Sequence, residues 1–249
     1  MTIRKKSTRF HERLDLRIPV EVHYHENAET EWVEHSFTEQ VTACGVGFTL
    51  SHPIEPQRLV QLRLPMPKNL RLFDCGKEFY EVWGIVRYLK LLETDEPDKI
   101  RVMVGAALTG SNPPKSFINN PNTLYDLKPF LRNQSLWDSR ELPRRSGPFM
   151  RSFEERREVG MKLVIETIYE EGQIFEAVEA ETINISESGV AIVTKLSNDY
   201  PNFVLVKTKD RKTSLLAVVR GVHELDSSNL RLHLEFISGK WSFNQGENL

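Results

Sequence analysis

Apolar residues alternate with other residues along many short stretches of the chain. In residues 18–25 the apolar positions are Ile18, Val20, Val22 and Tyr24. Such alternation is typical of strands that bury one face. It predicts strands at 18–25, 31–42, 45–50, 58–64, 78–89 and 99–108, and again at 161–169, 173–186, 189–194, 202–207, 214–223 and 229–237. Because clusters of Pro, Gly, Asn and Asp separate these stretches, we expect an all-β fold of antiparallel sandwiches or small barrels.

The middle of the chain has a different pattern. Residues 110–148 are rich in Pro, Asn and Ser, which predicts a mostly irregular linker. A short helix is expected near 122–133, although Pro129 argues against a long one. We therefore place an N-terminal domain at 1–110, the linker at 111–149 and a C-terminal domain at 150–249.

The two ends of the chain resemble one another. Residues 38–50 (TEQVTACGVGFTL) align with residues 182–194 (TINISESGVAIVT), so that Thr38 pairs with Thr182 and Gly45 with Gly189, 144 residues apart. Such self-similarity indicates two copies of one β-rich unit, with insertions in the first. One large sandwich is the alternative.

Composition excludes several classes of protein. The chain has 249 residues, of which 39% are hydrophobic and 27% charged, with a net charge of −2, so it is not built as a whole to coat nucleic acid or an anionic membrane. Its two cysteines, Cys44 and Cys75, form no CxxC pair and predict neither a disulfide framework nor a zinc site. No stretch has the length and apolar character of a signal peptide or a membrane span, so we expect a reduced, cytoplasmic protein.

The first 17 residues form a basic arm on this near-neutral body. Within it, Arg13 and Arg17 lie four residues apart, directly before the first predicted strand, and Arg9 precedes them. A guanidinium group can hold a phosphate or the O6 and N7 atoms of guanine through two parallel hydrogen bonds, or stack on a base. A solvated basic arm is the alternative. We expect the carboxylates of Glu12, Asp15, Glu154 and Glu155 to be charge partners for arginines rather than acid–base groups.

A second motif, NISESG at 184–189, links two predicted strands. Asn184 and Ser186 are two residues apart on a strand, so their side chains share a face. Gly189 permits a tight turn or the close approach of a ligand. An ordinary polar turn is the alternative, because Asn, Ser and Gly favour turns.

RxxxR before a first strand, followed after about 20 residues by [D/N]xSxxG, resembles the PilZ domain family. The resemblance covers about 9–110 and 150–239 and implies two six-stranded antiparallel β-barrels of a bacterial protein. Many members of that family are receptors for the second messenger cyclic di-GMP. The resemblance further implies that the arginines grip guanine and phosphate, while the Asn or Asp, Ser and Gly lie on the barrel beneath.

Each copy lacks part of the pattern. The first keeps both arginines but has Gln40, Thr42 and Gly45 at the second motif. The second keeps Asn184, Ser186 and Gly189 but lacks one arginine. An offset of 144 residues pairs Arg13 with Arg157 and Arg17 with Met161; matching the strand phase pairs them with Glu158 and Lys162.

We expect the first copy to be the ligand site, since charge-assisted bonds contribute more than neutral ones. Its residues are Arg9, Arg13, Arg17, Gln40, Thr42 and Gly45, and those of a second candidate site are Arg156, Arg157, Asn184, Ser186 and Gly189. A composite site, with arginines from one copy and Asn184 and Ser186 from the other, stays open.

The resemblance implies a cyclic di-GMP receptor that is not an enzyme, that changes the relation of its domains or its partner binding, and that acts on an unidentified downstream protein. The chain carries no catalytic or metal-binding constellation, and no cofactor besides the ligand is implied. Alternatives are a degenerate PilZ pair that serves as a nucleotide-independent adaptor or scaffold, and a nucleic-acid binder, which the near-neutral charge disfavours. A homodimer is left open.

Overall fold

In this computed structural model, the described residues are 13–25, 29–129, 136–143, 154–195 and 201–243. Short 3₁₀ turns occur at Lys68–Leu70 and Glu170–Gly172, and one α-helix, α1, at Lys115–Asn119 within these ranges. The strands of the first half are β1 Pro19–His25, β2 Glu31–Thr42, β3 Gly45–Leu50, β4 Leu59–Leu64, β5 Tyr80–Leu92, β6 Arg101–Gly110, β7 Tyr125–Leu127 and β8 Ser139–Glu141. Those of the second half are β9 Lys162–Ile168, β10 Ile174–Ile185, β11 Gly189–Thr194, β12 Phe203–Thr208, β13 Ser214–Glu224 and β14 Leu230–Phe236.

Six strands of the first half close into a barrel in the order β1-β2-β3-β6-β5-β4. The period-two pattern of β1 directs Val20, Val22 and Tyr24 into the barrel core, where all three are buried. Residues between them face outward, as expected for a strand with one buried face. The prediction of a small antiparallel barrel is confirmed for this half of the chain.

A second six-stranded barrel has the order β9-β10-β11-β14-β13-β12 around its circumference. This is the same topology as in the first barrel, with β9 in the place of β1 and β10 in the place of β2. Its core contains Leu163 and Ile165 from β9, Ile192 from β11 and Leu232 from β14, all fully buried. The expected second antiparallel barrel is therefore also confirmed.

The short helix expected near 122–133 is wrong. The helix lies earlier, at Lys115–Asn119, directly after Pro114, and residues 125–127 form a strand that pairs with Ser139–Glu141. Burial of Tyr125 decides the conformation, because its ring joins a cluster with Leu59, Ile85 and Phe117 and its N–H donates to the Gln57 carbonyl over 2.8 Å. Much of the predicted linker is thus a packed part of the first half.

Contacts divide the chain into two compact units. The first comprises residues 1–49, 57–87 and 105–143, and the second comprises 50–56, 88–104 and 144–249. The sequence-based limits at 110 and 150 stay a prediction about independently folding domains. In the described part of the chain, no helix is long and apolar enough to cross a membrane.

Candidate ligand site

A backbone bridge holds the end of the basic arm against the second motif of the first barrel. Leu14 and Val41 exchange N–H···O=C bonds of 3.0 and 2.9 Å. This bridge places Arg13 beside Gln40, and the Arg13 guanidinium donates to the amide oxygen of Gln40 over 3.1 Å. Two predicted site residues, 27 positions apart in the chain, are therefore in direct contact.

Thr38 fixes the register between the arm and the barrel. Its side chain is fully buried, accepts the N–H of Ile18 over 3.1 Å and donates its hydroxyl to the Leu16 carbonyl. Because both partners lie beside Arg17, one buried hydroxyl sets the position of the second arginine. Sequence reasoning aligned Thr38 with Thr182 but gave it no part in the site.

Arg17 is exposed and lies with its guanidinium 4.6 Å from the centre of the Phe37 ring. Phe37 also lines an open groove of about 340 Å³ together with Pro19, Arg63 and Phe79. A guanidinium on a phenyl face is held by a weak cation–π attraction, so Arg17 stays accessible to an anionic or planar ligand.

The turn between β2 and β3 is built by Thr42 and Gly45. The Thr42 hydroxyl accepts the N–H of Cys44 over 3.2 Å and lies 3.2 Å from the Gly45 carbonyl, to which it donates. A Cβ at Gly45 would lie 3.3 Å from the Ala106 carbonyl oxygen. Both residues thus have a structural role in the turn, whatever they contribute to a ligand. Arg9 lies outside the described residues.

The second barrel repeats these contacts, which reveals the true equivalence of the two halves. The N–H of Met161 donates to the Thr182 hydroxyl over 2.8 Å, and Thr182 donates in turn to the Val159 carbonyl. A bridge of two 2.9 Å bonds joins Arg157 to Ile185, as Leu14 is joined to Val41 in the first barrel.

The arginine equivalences expected from the sequence are therefore wrong. Met161 occupies the place of Ile18, so Arg156 takes the place of Arg13 and Gly160 takes the place of Arg17. The offset is 143 residues up to Ile174 and 144 from Ala177 onward, because a register shift in β10 between these two residues adds one residue to the second hairpin. A single insertion in a hairpin leaves both barrels intact but shifts any alignment made from one side of it.

Arg156 makes the contact that its equivalence implies, donating to the Asn184 amide oxygen over 3.4 Å. Arg157 instead lies against the ring of Phe243, with 4.4 Å between the guanidinium carbon and the ring centre. The second candidate site thus brings together Arg156 and Asn184 but directs Arg157 elsewhere.

Ser186 and Gly189 form the turn of the second barrel. Ser186 is buried, and its N–H and hydroxyl both donate to the Gly189 carbonyl, over 2.8 and 3.3 Å. A Cβ at position 189 would lie only 2.5 Å from the Leu234 carbonyl oxygen, so the packing of β11 on β14 requires glycine there. The motif therefore has a structural reason to exist even without a ligand.

Two of the four acidic residues expected to pair with arginines have other partners, and Glu12 lies outside the described residues. Asp15 accepts a hydrogen bond from the Gln40 amide nitrogen over 3.2 Å. Glu154 accepts the N–H of Ser188 over 3.2 Å and also the hydroxyl of the same residue. This serine hydroxyl, above all, lowers the pKa of the Glu154 carboxyl. In the sequence, only its position close to Arg156 and Arg157 made Glu154 a candidate charge partner.

Among the described residues, no group of three or more His, Cys, Asp and Glu side chains is arranged to hold a metal ion. His23 lies on an outer barrel face with its Nε2 atom 2.8 Å from the Glu21 carboxylate. This contact, in turn, is the main cause of a lowered pKa at Glu21. The imidazole is thus engaged by a carboxylate of its own strand.

No protein-family model and no curated protein matches the chain. Among solved structures, it is similar to the Borreliella burgdorferi PlzA protein in complex with c-di-GMP, with 9% identity, a TM-score of 0.26, and coverage of 89% of this chain and 81% of that chain. It is also similar to the Bacillus subtilis inhibitor of motility MotI, with 13% identity, a TM-score of 0.25, and coverage of 90% of this chain and 88% of that chain. A third similar structure is Escherichia coli YcgR in complex with c-di-GMP, with 10% identity, a TM-score of 0.24, and coverage of 88% of this chain and 76% of that chain. Identities and TM-scores this low do not by themselves assign a ligand or an activity to this chain.

Proposed function

We propose that the chain is a PilZ-type receptor for cyclic di-GMP that binds the nucleotide at its first barrel and has no enzymatic activity. Arg13 and Arg17 grip the ligand from the basic arm, and Gln40, Thr42 and Gly45 form the surface beneath them. Arg9, from the same arm, is a further candidate contact.

The contact between Arg13 and Gln40 carries this proposal. Both motifs of the resemblance meet at one point of the barrel, since the arm bridge brings the guanidinium within 3.1 Å of the amide oxygen. Arg13 and Arg17 are exposed, so their remaining N–H groups can reach a phosphate or a guanine edge. The near-neutral charge of the chain favours such a local grip over a broad nucleic-acid surface.

The expected response to the ligand follows from the position of the arginines. A bound nucleotide would bridge the basic arm and the barrel and so change the surface that a partner protein can contact. The nucleotide itself is released unchanged.

Calorimetric titration of cyclic di-GMP tests the proposal. We expect saturable binding to the unmodified chain, and a loss of at least about tenfold in affinity after Arg13→Ala with Arg17→Ala, because two charge-assisted contacts disappear. The matched control is Arg156→Ala, which removes the equivalent exposed arginine of the second barrel and is expected to leave binding unchanged.

Two outcomes would contradict the proposal in different ways. Equal loss in Arg156→Ala would remove the assignment to the first barrel. Absence of binding by the unmodified chain up to about 1 mM would favour the nucleotide-independent adaptor instead.

A further inference from the structure

In the second barrel, the Glu154 carboxylate is bound to the turn that contains Asn184, Ser186 and Gly189. Ser188, inside this turn, gives both its N–H and its hydroxyl to Glu154. The Ser188 hydroxyl is the main cause of a lowered pKa at Glu154, which keeps the carboxylate charged. The two Ser188 donors that could bind an anionic ligand therefore already bind a carboxylate of the same chain.

The equivalent turn of the first barrel is arranged differently. Cys44 holds the place of Ser188, and its N–H donates over 3.2 Å to the neutral Thr42 hydroxyl. Gln40, beside that turn, contacts two charged groups, the Arg13 guanidinium and the Asp15 carboxylate, but neither of them bonds the Cys44 N–H. Matching turns thus have a carboxylate in one barrel and a neutral hydroxyl in the other.

A C-terminal segment, residues 239–243, covers the same turn of the second barrel. The N–H of Trp241 donates to the Glu187 carbonyl over 2.8 Å, and Lys240 pairs with the Glu187 carboxylate over 2.8 Å. Trp241 is buried. The ring of Phe243, the last described residue, lies against the Arg157 guanidinium, which is therefore already engaged within the chain.

We infer that Glu154 is a specificity-determining residue that closes the second barrel to anionic nucleotides, so that one chain takes one ligand, at the first barrel. The inference rests on the proposed function. A phosphodiester placed on this turn would face the Glu154 carboxylate at short range, and like charges in contact oppose binding. It would also find the donors of Ser188 already engaged, and freeing them would cost their present hydrogen bonds.

The test uses the full chain with Arg13→Ala and Arg17→Ala, which removes the first site. In this background Glu154→Gln keeps the size of the side chain but removes its charge, and Glu155→Gln is the matched control at an exposed neighbour. By calorimetry with cyclic di-GMP, we expect Glu154→Gln to bind at least about tenfold more tightly than Glu155→Gln. Equal affinities of the two variants would overturn the inference.

A second measurement separates failure of this inference from failure of the proposed function. If the unmodified chain binds no cyclic di-GMP, the proposed function fails, and hydrogen exchange then decides whether Glu154 closes the turn. Faster exchange of the Ser188 amide in Glu154→Ala than in Glu155→Ala supports closure. Unchanged protection overturns it.

Discussion

At the scale of single residues, two buried threonines do more than the sequence motifs suggest. Thr38 and Thr182 are both buried, and each joins the segment before the first strand of its barrel to the second strand. Their hydroxyls accept from one backbone N–H and donate to one carbonyl. They therefore determine where the arm residues stand, while the arginines and amides make the exposed contacts.

Replacing Thr38 with Val should separate these roles. The change keeps the shape of the side chain but leaves the Ile18 N–H without its acceptor, so we expect a loss of about 1–3 kcal/mol in the free energy of unfolding. Thr182→Val should destabilise the chain similarly, yet only Thr38→Val should weaken cyclic di-GMP binding. Chemical denaturation and calorimetry measure the two effects, with Thr38→Ser as the control that retains the hydroxyl. Equal ligand affinity in both valine variants would contradict the role given to Thr38.

At the scale of elements, the short β7–β8 pair shows how a polar segment is held on a barrel. Asp126 accepts a 2.9 Å bond from Arg87 of β5 and a 2.7 Å bond from Arg140 of β8, and it also accepts the N–H of Leu127. These contacts, with that to Arg140 the strongest, lower the pKa of Asp126 to about 2. A single carboxylate thus links three strands of the first unit.

The shift at Asp126 predicts a specific acid response. A carboxyl whose pKa is lower in the folded state stabilises it fully above the ordinary value of 3.8, and this stabilisation is lost as the pH falls through about 2. Hydrogen exchange of residues 125–127 should therefore be slower in the unmodified chain than in Asp126→Asn above about pH 4, and the difference should vanish towards pH 2. Asp95→Asn, at an exposed position, is the control and should have no effect. A difference that is independent of pH would contradict this account.

At the scale of the whole molecule, the two compact units do not coincide with the two barrels, because residues 88–104 include the end of β5 and the start of β6. The first unit includes β7 and β8, whereas residues 50–56 and 88–104 belong to the second unit. There the Ile100 N–H donates to the Gly172 carbonyl over 2.9 Å, and Arg220 binds Glu55 over 2.5 Å and Glu235 over 2.6 Å. The barrel repeat alone therefore does not define a compact unit.

The Arg220 cluster should contribute strongly to the stability of the second unit. Arg220→Ala leaves the largely buried Glu55 carboxylate without its partner, which we expect to cost roughly 3 kcal/mol in the free energy of unfolding. Chemical denaturation measures the loss, and hydrogen exchange should quicken at residues 50–56. Arg101→Ala, which removes an exposed arginine of β6, is the matched control. If the double change Arg220→Ala with Glu55→Ala is no more stable than Arg220→Ala alone, the unpaired carboxylate is not the cause.

Much of the site was predictable because its signals are local in the chain. Arg13 with Gln40, and Arg156 with Asn184, were candidates before any contact was known, and both pairs are in contact. The equivalence of the arms was not predictable, because one added residue in the β9–β10 hairpin changes the offset only on one side. Glu154 gave no distinctive signal, since its meaning depends on Ser188, 34 positions away.

The sequence by itself determined the strands, the two similar halves and the motif residues, because the period-two alternation and turn chemistry that encode them act over a few neighbouring positions. Only the tertiary structure decided which residues of the two halves are equivalent, where the helix of the middle segment lies and which group occupies each turn. These depend on strand register, on the burial of side chains such as Tyr125 and on partners distant in the chain. Strand register, burial and distant contacts are determined only when each barrel closes, because closure brings together residues that no local sequence pattern connects.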